Sequence, residues 1–103
     1  MSEAPQPGYY VVTRAPGPRW DRSRGMREQE RWGDHAAFMD GLADDGFIVL
    51  GGPLGNGTRF LHVVAAAGEQ EIEARFADDP WTPMELLRFI SIEPWEILLR
   101  ARA

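Results

Sequence analysis

The chain contains no cysteine and no lysine among its 103 residues. The first absence excludes disulfides, thiolate nucleophiles and cysteine-built metal sites. The second excludes Schiff-base chemistry, since all eleven basic side chains are arginines. Histidine is scarce, with His35 and His62 alone. Their spacing is not that of metal ligands, and a zinc site would need both plus carboxylates, so no metal site is expected. Positive charge is in deficit: a net charge of −5 argues against a general nucleic-acid binder, which needs a basic excess to neutralise phosphates. No apolar run approaches membrane-spanning length, and the start Met1-Ser2-Glu3-Ala4-Pro5 does not read as a signal peptide. A cytoplasmic protein without membrane contact is the expectation. There is no Gly-x-Ser-x-Gly elbow. The glycine-rich run from Gly51 to Gly57 opens a hairpin rather than a helix, so it is no phosphate loop.

What is present is ordinary globular composition, 44% hydrophobic and 26% charged, at a length that suits one thin core. Residues 1–8 hold two prolines, a glycine and no periodicity, and read as a flexible tail before a single domain over 9–103. Tyr9 to Arg14 is rich in β-branched and aromatic residues and predicts the first strand. Ala15 to Gly25 is a loop. From Met26 to Asp45 the pattern is helical, with Trp32, Ala36, Met39, Leu42 and Ala43 on one face and Gly46 as the C-terminal glycine.

Phe47 to Leu50 predicts a short strand covered on both faces, ending at Gly51-Gly52-Pro53 because proline has no N–H for the ladder. The bare backbone of Gly51 and Gly52 lets a ligand approach closely; the alternative is a turn that needs positive φ. Asn56-Gly57 is a hairpin signal, which makes Arg59 to Ala66 the antiparallel partner. Gly68 to Asp79 predicts a second helix, buried along Ile72 and Phe76. Thr82-Pro83-Met84-Glu85 resembles a capping box opening a short helix through Leu87. Arg88 to Arg100 predicts the last strand, with Phe89, Trp95, Ile97 and Leu99 on one face and Ile90, Ile92 and Leu98 on the other. Pro94 in its middle requires a bulge or an edge position.

The order β-α-β-β-α-β is that of an α+β, ferredoxin-like subunit. Two helices cover one sheet face, and the other still presents apolar side chains. A second copy of the chain would cover it, so a homodimer is expected.

His35 is the one titratable residue on the apolar face of the first helix. Asp79 lies on the buried line of the second, seven residues beyond Ile72, whereas Asp78 is rotated away. Separately they read as a core histidine and a helix-terminus carboxylate. Together, on two helices that share one side of the sheet, they form an imidazole oriented by a carboxylate, a general acid–base unit. Arginines 14, 19, 22, 24, 27 and 31 either gather near the site to attract an anion or form a solvated face. The pairs Arg24/Glu28, Arg27/Glu30, Glu28/Arg31 and Arg31/Asp34 favour the solvated face for the helical ones. Trp81, directly after Asp79-Pro80, is the tryptophan placed to line a pocket.

These pieces resemble the YciI-like (YCII-related) family: His35 with Phe38-Met39 and Leu42, then Gly46, Gly51-Gly52-Pro53, Asp79-Pro80-Trp81 and Ile92-Glu93-Pro94-Trp95, running from Tyr9 to Leu99. The resemblance implies a dimeric α+β barrel and an acid–base site on His35 and Asp79, with the Gly-Gly-Pro stretch beside it. One member of the family is implicated in removing chloride from a chlorinated hydroxyquinol. The expected function is a cofactor-independent enzyme of lyase or isomerase type acting on a small anionic organic molecule. His35 would move the proton, Asp79 would orient it, and Gly51, Gly52, Pro53 and Trp81 would contact substrate. The alternatives are a non-catalytic small-ligand binding or accessory module and, by analogy of fold, a cofactor-free oxygenase.

Overall fold

The computed structural model describes residues 7–102. The flexible tail expected over 1–8 lies mostly outside them, and Gly8 already belongs to the first strand. Strand β1 (Gly8–Pro16) is followed by a single 3-10 turn (Met26–Glu28) and helix α1 (Trp32–Asp44). Strands β2 (Ile48–Leu54) and β3 (Arg59–Ala66) form a hairpin. Helix α2 (Glu69–Ala77) and strand β4 (Leu87–Trp95) complete the order. The four strands form one antiparallel sheet in the order β2-β3-β1-β4, with β1 and β3 central. This α+β arrangement is compatible with a ferredoxin-like fold. No helix among the described residues is long and apolar enough to cross a membrane.

Alternation along the central strands builds the core. Val12, Val64 and Ala66 meet Leu42 of α1, Ile72 and Phe76 of α2, and Phe47 and Ile48. Gly46 closes α1 as its spacing implied. It adopts φ +79°, its N–H donates to Ala43 O, and the Phe47 N–H donates to Leu42 O. Both are the bonds of a Schellman turn.

Four expectations are corrected. The first helix begins at Trp32, six residues later than Met26, because Arg31 is left-handed at φ 60°. Upstream, the buried Gln29 side chain bonds the loop instead: it accepts from the Asp21 N–H and donates to the carbonyls of Asp21, Arg24 and Gly25.

Strand β2 is not covered on both faces. It is a sheet edge, with Val49 48% and Leu50 60% exposed, and it runs through Pro53, which pairs with Phe60. Proline is tolerated there because an edge strand has ladder positions with no partner.

The capping box at 82–85 opens no helix. The Thr82 hydroxyl is taken by the Phe76 carbonyl at 2.8 Å, and Glu85 turns left-handed at φ 57°.

The last strand ends at Trp95, and its faces are not those of simple alternation. Thr13 pairs with Ser91 but Arg14 with Phe89, which leaves Ile90 as a bulge. Phe89 and Ile92 therefore both face the helices: Phe89 meets the Phe76 ring edge-on, and Ile92 packs on the core. Pro94 sits on the edge strand β4, one of its two allowed positions.

Candidate active site

His35 and Asp79 meet. His35 projects from the first turn of α1. Asp79 stands two residues past the end of α2, where Pro80 follows and the chain cannot remain helical. The His35 Nδ1 to Asp79 Oδ1 distance is 2.8 Å, with both side chains buried. A carboxylate only accepts, so Nδ1 carries the hydrogen shared between the two groups. No described residue hydrogen-bonds Nε2, and His35 lines a cleft of about 630 Å³ between α1 and β2. Nε2 is thus the ring atom left for a ligand.

Asp79 is held from three sides. Oδ1 also accepts the Trp81 N–H at 2.9 Å, and Oδ2 accepts Arg14 Nη1 at 3.3 Å. Burial alone would raise this carboxyl. The bonds from His35 and the Trp81 N–H, with the nearby positive charges, outweigh it and hold the group below its ordinary value.

Arg14 is only 3% exposed. Its guanidinium lies 4.4 Å from the centroid of the Phe76 ring. Burial lowers its pKa, and the Asp79 charge opposes that. Val12 and Arg14 point to the same sheet face as the helices, and β3 answers with His62, which pairs with Val12. Burial first, and then the charges of Arg14 and His35, push His62 down to about 3, so it stays neutral at physiological pH.

The remaining expected residues have mixed placements. Gly51, Gly52 and Pro53 do border the cleft. Gly51 pairs with His62, and a Cβ there would lie 2.6 Å from His62 Cδ2, so its missing side chain makes room for that ring. A Cβ on Gly52 would meet nothing within 4 Å.

Trp81 is fully buried. It stacks flat on the His35 ring, 3.8 Å between centroids and 5° between planes, and its Nε1–H donates to the Glu30 carbonyl at 2.7 Å.

Among the arginines, 14 enters the site. Arg19, Arg24 and Arg31 have side chains more than half exposed and pair with Glu85, Asp21 and Asp34. Of the four expected helical pairs, Arg31–Asp34 forms as an ion pair among the described residues, whereas Arg24 turns to Asp21. No group of three histidines or acids among the described residues is placed to hold a metal ion.

The sequence offers Arg14 as one of six arginines that could gather near the site, and His62 only as half of a histidine pair without metal-ligand spacing. Period-two counting groups Arg14 with Tyr10 and Val12, and His62 with Phe60 and Val64, but does not say which face of either strand is buried. Compared with known family models, curated proteins and solved structures, the chain matches none of them.

Proposed function

We propose that the chain is a cofactor-independent acid–base enzyme of lyase or isomerase type, acting on a small anionic organic molecule. The observation that carries this is the 2.8 Å contact of His35 Nδ1 with Asp79 Oδ1, which leaves Nε2 as a base at the cleft. Asp79 stabilises the imidazolium formed when Nε2 takes a proton, and the stacked Trp81 ring holds its direction. The residues quoted for the YciI-like resemblance include this pair, and membership of that family is part of the same proposal.

The test is solvent exchange. Small carboxylic acids with an acidic C–H, incubated in D2O with the protein, should gain deuterium at that carbon. His35→Asn should abolish the gain while leaving the circular dichroism spectrum unchanged. Exchange that persists in His35→Asn would remove the histidine from the chemistry. If no tested acid exchanges while ligands still bind, the second reading holds. In that case the cleft is a binding module and the pair only shapes it, a role favoured by the three structural bonds on Asp79.

We also propose a homodimer in which a second copy covers the sheet face opposite the helices, giving the dimeric α+β barrel. Strand pairing places Tyr9, Val11, Leu61, Val63, Leu50 and Trp95 on that face, and Leu50 and Trp95 are exposed in the single chain. Sedimentation at micromolar concentration should give twice the chain mass; a folded monomer there would refute the dimer.

A further inference from the structure

The acid–base assignment calls for an anionic substrate, yet the cleft that His35 lines holds no cation free to bind one. Arg14 is the one arginine among the described residues lining it. Its Nη1 donates to Asp79, its Nη2 donates to Met39 Sδ at 3.6 Å, and its Nε is buried. His62 stays neutral. Asp40, exposed on the α1 wall of the cleft, repels an anion.

Positive charge gathers instead in an adjoining cavity of about 460 Å³. Arg22, Arg24 and Arg27 line it, and its described lining includes no acid. In a chain of net charge −5 this is a local reversal of sign. Met26, Pro53 and Phe60 border both cavities, so the two meet there. Helix α1 and strand β2 are joined through residues 45–47 and run in opposite directions. The Asp40 end of α1 therefore lies toward the start of β2, and the His35 end lies toward Pro53 and the arginines. Arg22 and Arg27 have no ion-pair partner among the described residues. Arg24 pairs with Asp21 at 3.5 Å, and the Glu28 carboxylate sits against Gly25, outside the cavity lining. The Gln29 amide, bonded to the carbonyls of Asp21, Arg24 and Gly25, holds the loop that presents the cluster.

We propose that Arg22, Arg24 and Arg27 bind the oxyanion end of the substrate, a carboxylate or a phosphate, while its carbon chain crosses Met26, Pro53 and Phe60 into the His35 cleft. This rests on the acid–base reading and deepens it, because it fixes which end of the molecule is charged. A guanidinium offers parallel N–H donors that match either oxyanion. The reacting carbon is then separated from the charged group by the carbons that span the shared border.

The probes are valerate and butyl phosphate, titrated while the ¹⁵N signals of the arginine side chains and of the His35 ring are followed. Saturable shifts at both places are expected, and the tighter probe identifies the oxyanion. Arg22→Gln and Arg27→Gln should each weaken that probe about threefold, and the double variant about tenfold. Both side chains are exposed, so the fold survives their loss. Arg75→Gln removes the same charge from α2 and should leave the affinity unchanged. His35→Asn should bind the tighter probe as wild type does while losing deuterium exchange, so this proposal and the acid–base one fail separately. Shifts that do not saturate, weakening by Arg75→Gln equal to that by Arg22→Gln, or a His35 ring that neither probe moves would overturn it.

Discussion

Asp79→Ala is expected to lower folding stability by about 3–5 kcal/mol, the usual cost of stripping one partner from a buried ion pair. The carboxylate side chain is fully buried and satisfies Arg14, His35 and the Trp81 N–H together. Removing it leaves the Arg14 guanidinium, itself 4% exposed, without a counter-charge. Urea unfolding measures the loss. Asp78→Ala, one residue earlier and exposed, should stay within about 0.5 kcal/mol. The double variant Arg14→Leu/Asp79→Ala should recover part of the loss, because no charge is then stranded. A cost below about 1 kcal/mol for Asp79→Ala would mean that the pair is solvated in solution and that the network does not hold.

The pH dependence has the same origin. Folded His62 is pushed down to about 3 from an ordinary 6.5, so below 6.5 the unfolded chain takes up a proton that the folded chain refuses. Stability therefore falls as pH drops from 6.5 toward 3. Asp79 acts later. Its folded value lies below the ordinary 3.8, so its contribution is complete above 3.8 and is lost as pH falls through that value and then through the folded one. Substituting His62 with phenylalanine should flatten the first limb, and Asp79→Asn the second.

His35 and Asp79 are legible in the sequence because each interrupts an otherwise apolar helical stripe. A helix has one buried face, and a polar residue in phase with it stands out. The same rule fails on β1, where Tyr9-Tyr10-Val11-Val12 is apolar on both faces, so nothing local says which face Arg14 shares. Only the pairing of β1 with β3 and the position of the helices decide it.

Strand order is likewise non-local. The apolar run Phe47 to Leu50 reads as a central strand, yet its place at the edge follows from the crossover that puts β3 beside β1. The bulge at Ile90 inverts the face of everything beyond it and has no glycine to announce it. The start of α1 was hidden for a different reason. Gln29 is a good helix former by propensity, but three carbonyls of the preceding loop take its amide, and the helix cannot begin until that contact is passed.

Trp81→Ala should rival Asp79→Ala, with an expected loss of about 3–5 kcal/mol. The ring is completely buried among three aromatic neighbours: His35 stacked at 3.8 Å, Trp20 edge-on at 5.7 Å and Trp32 tilted at 5.8 Å. Truncation empties the space on which the α1 face and the 17–31 loop both rest, and frees the Glu30 carbonyl that Nε1–H holds. Trp81→Phe separates packing from positioning. It keeps an aromatic face for His35 but loses the indole N–H, which should cost about 1 kcal/mol for that hydrogen bond. If Trp81 sets the plane of the imidazole, Trp81→Ala must also disturb the His35–Asp79 bond, which ¹⁵N spectra read as loss of the pure Nδ1–H tautomer. Trp81→Phe should retain that tautomer. A Trp81→Ala protein that unfolds at the wild-type urea concentration, or that keeps the Nδ1–H tautomer intact, would show that the stack neither supports the core nor aims the histidine. Asp79 alone would then orient the ring.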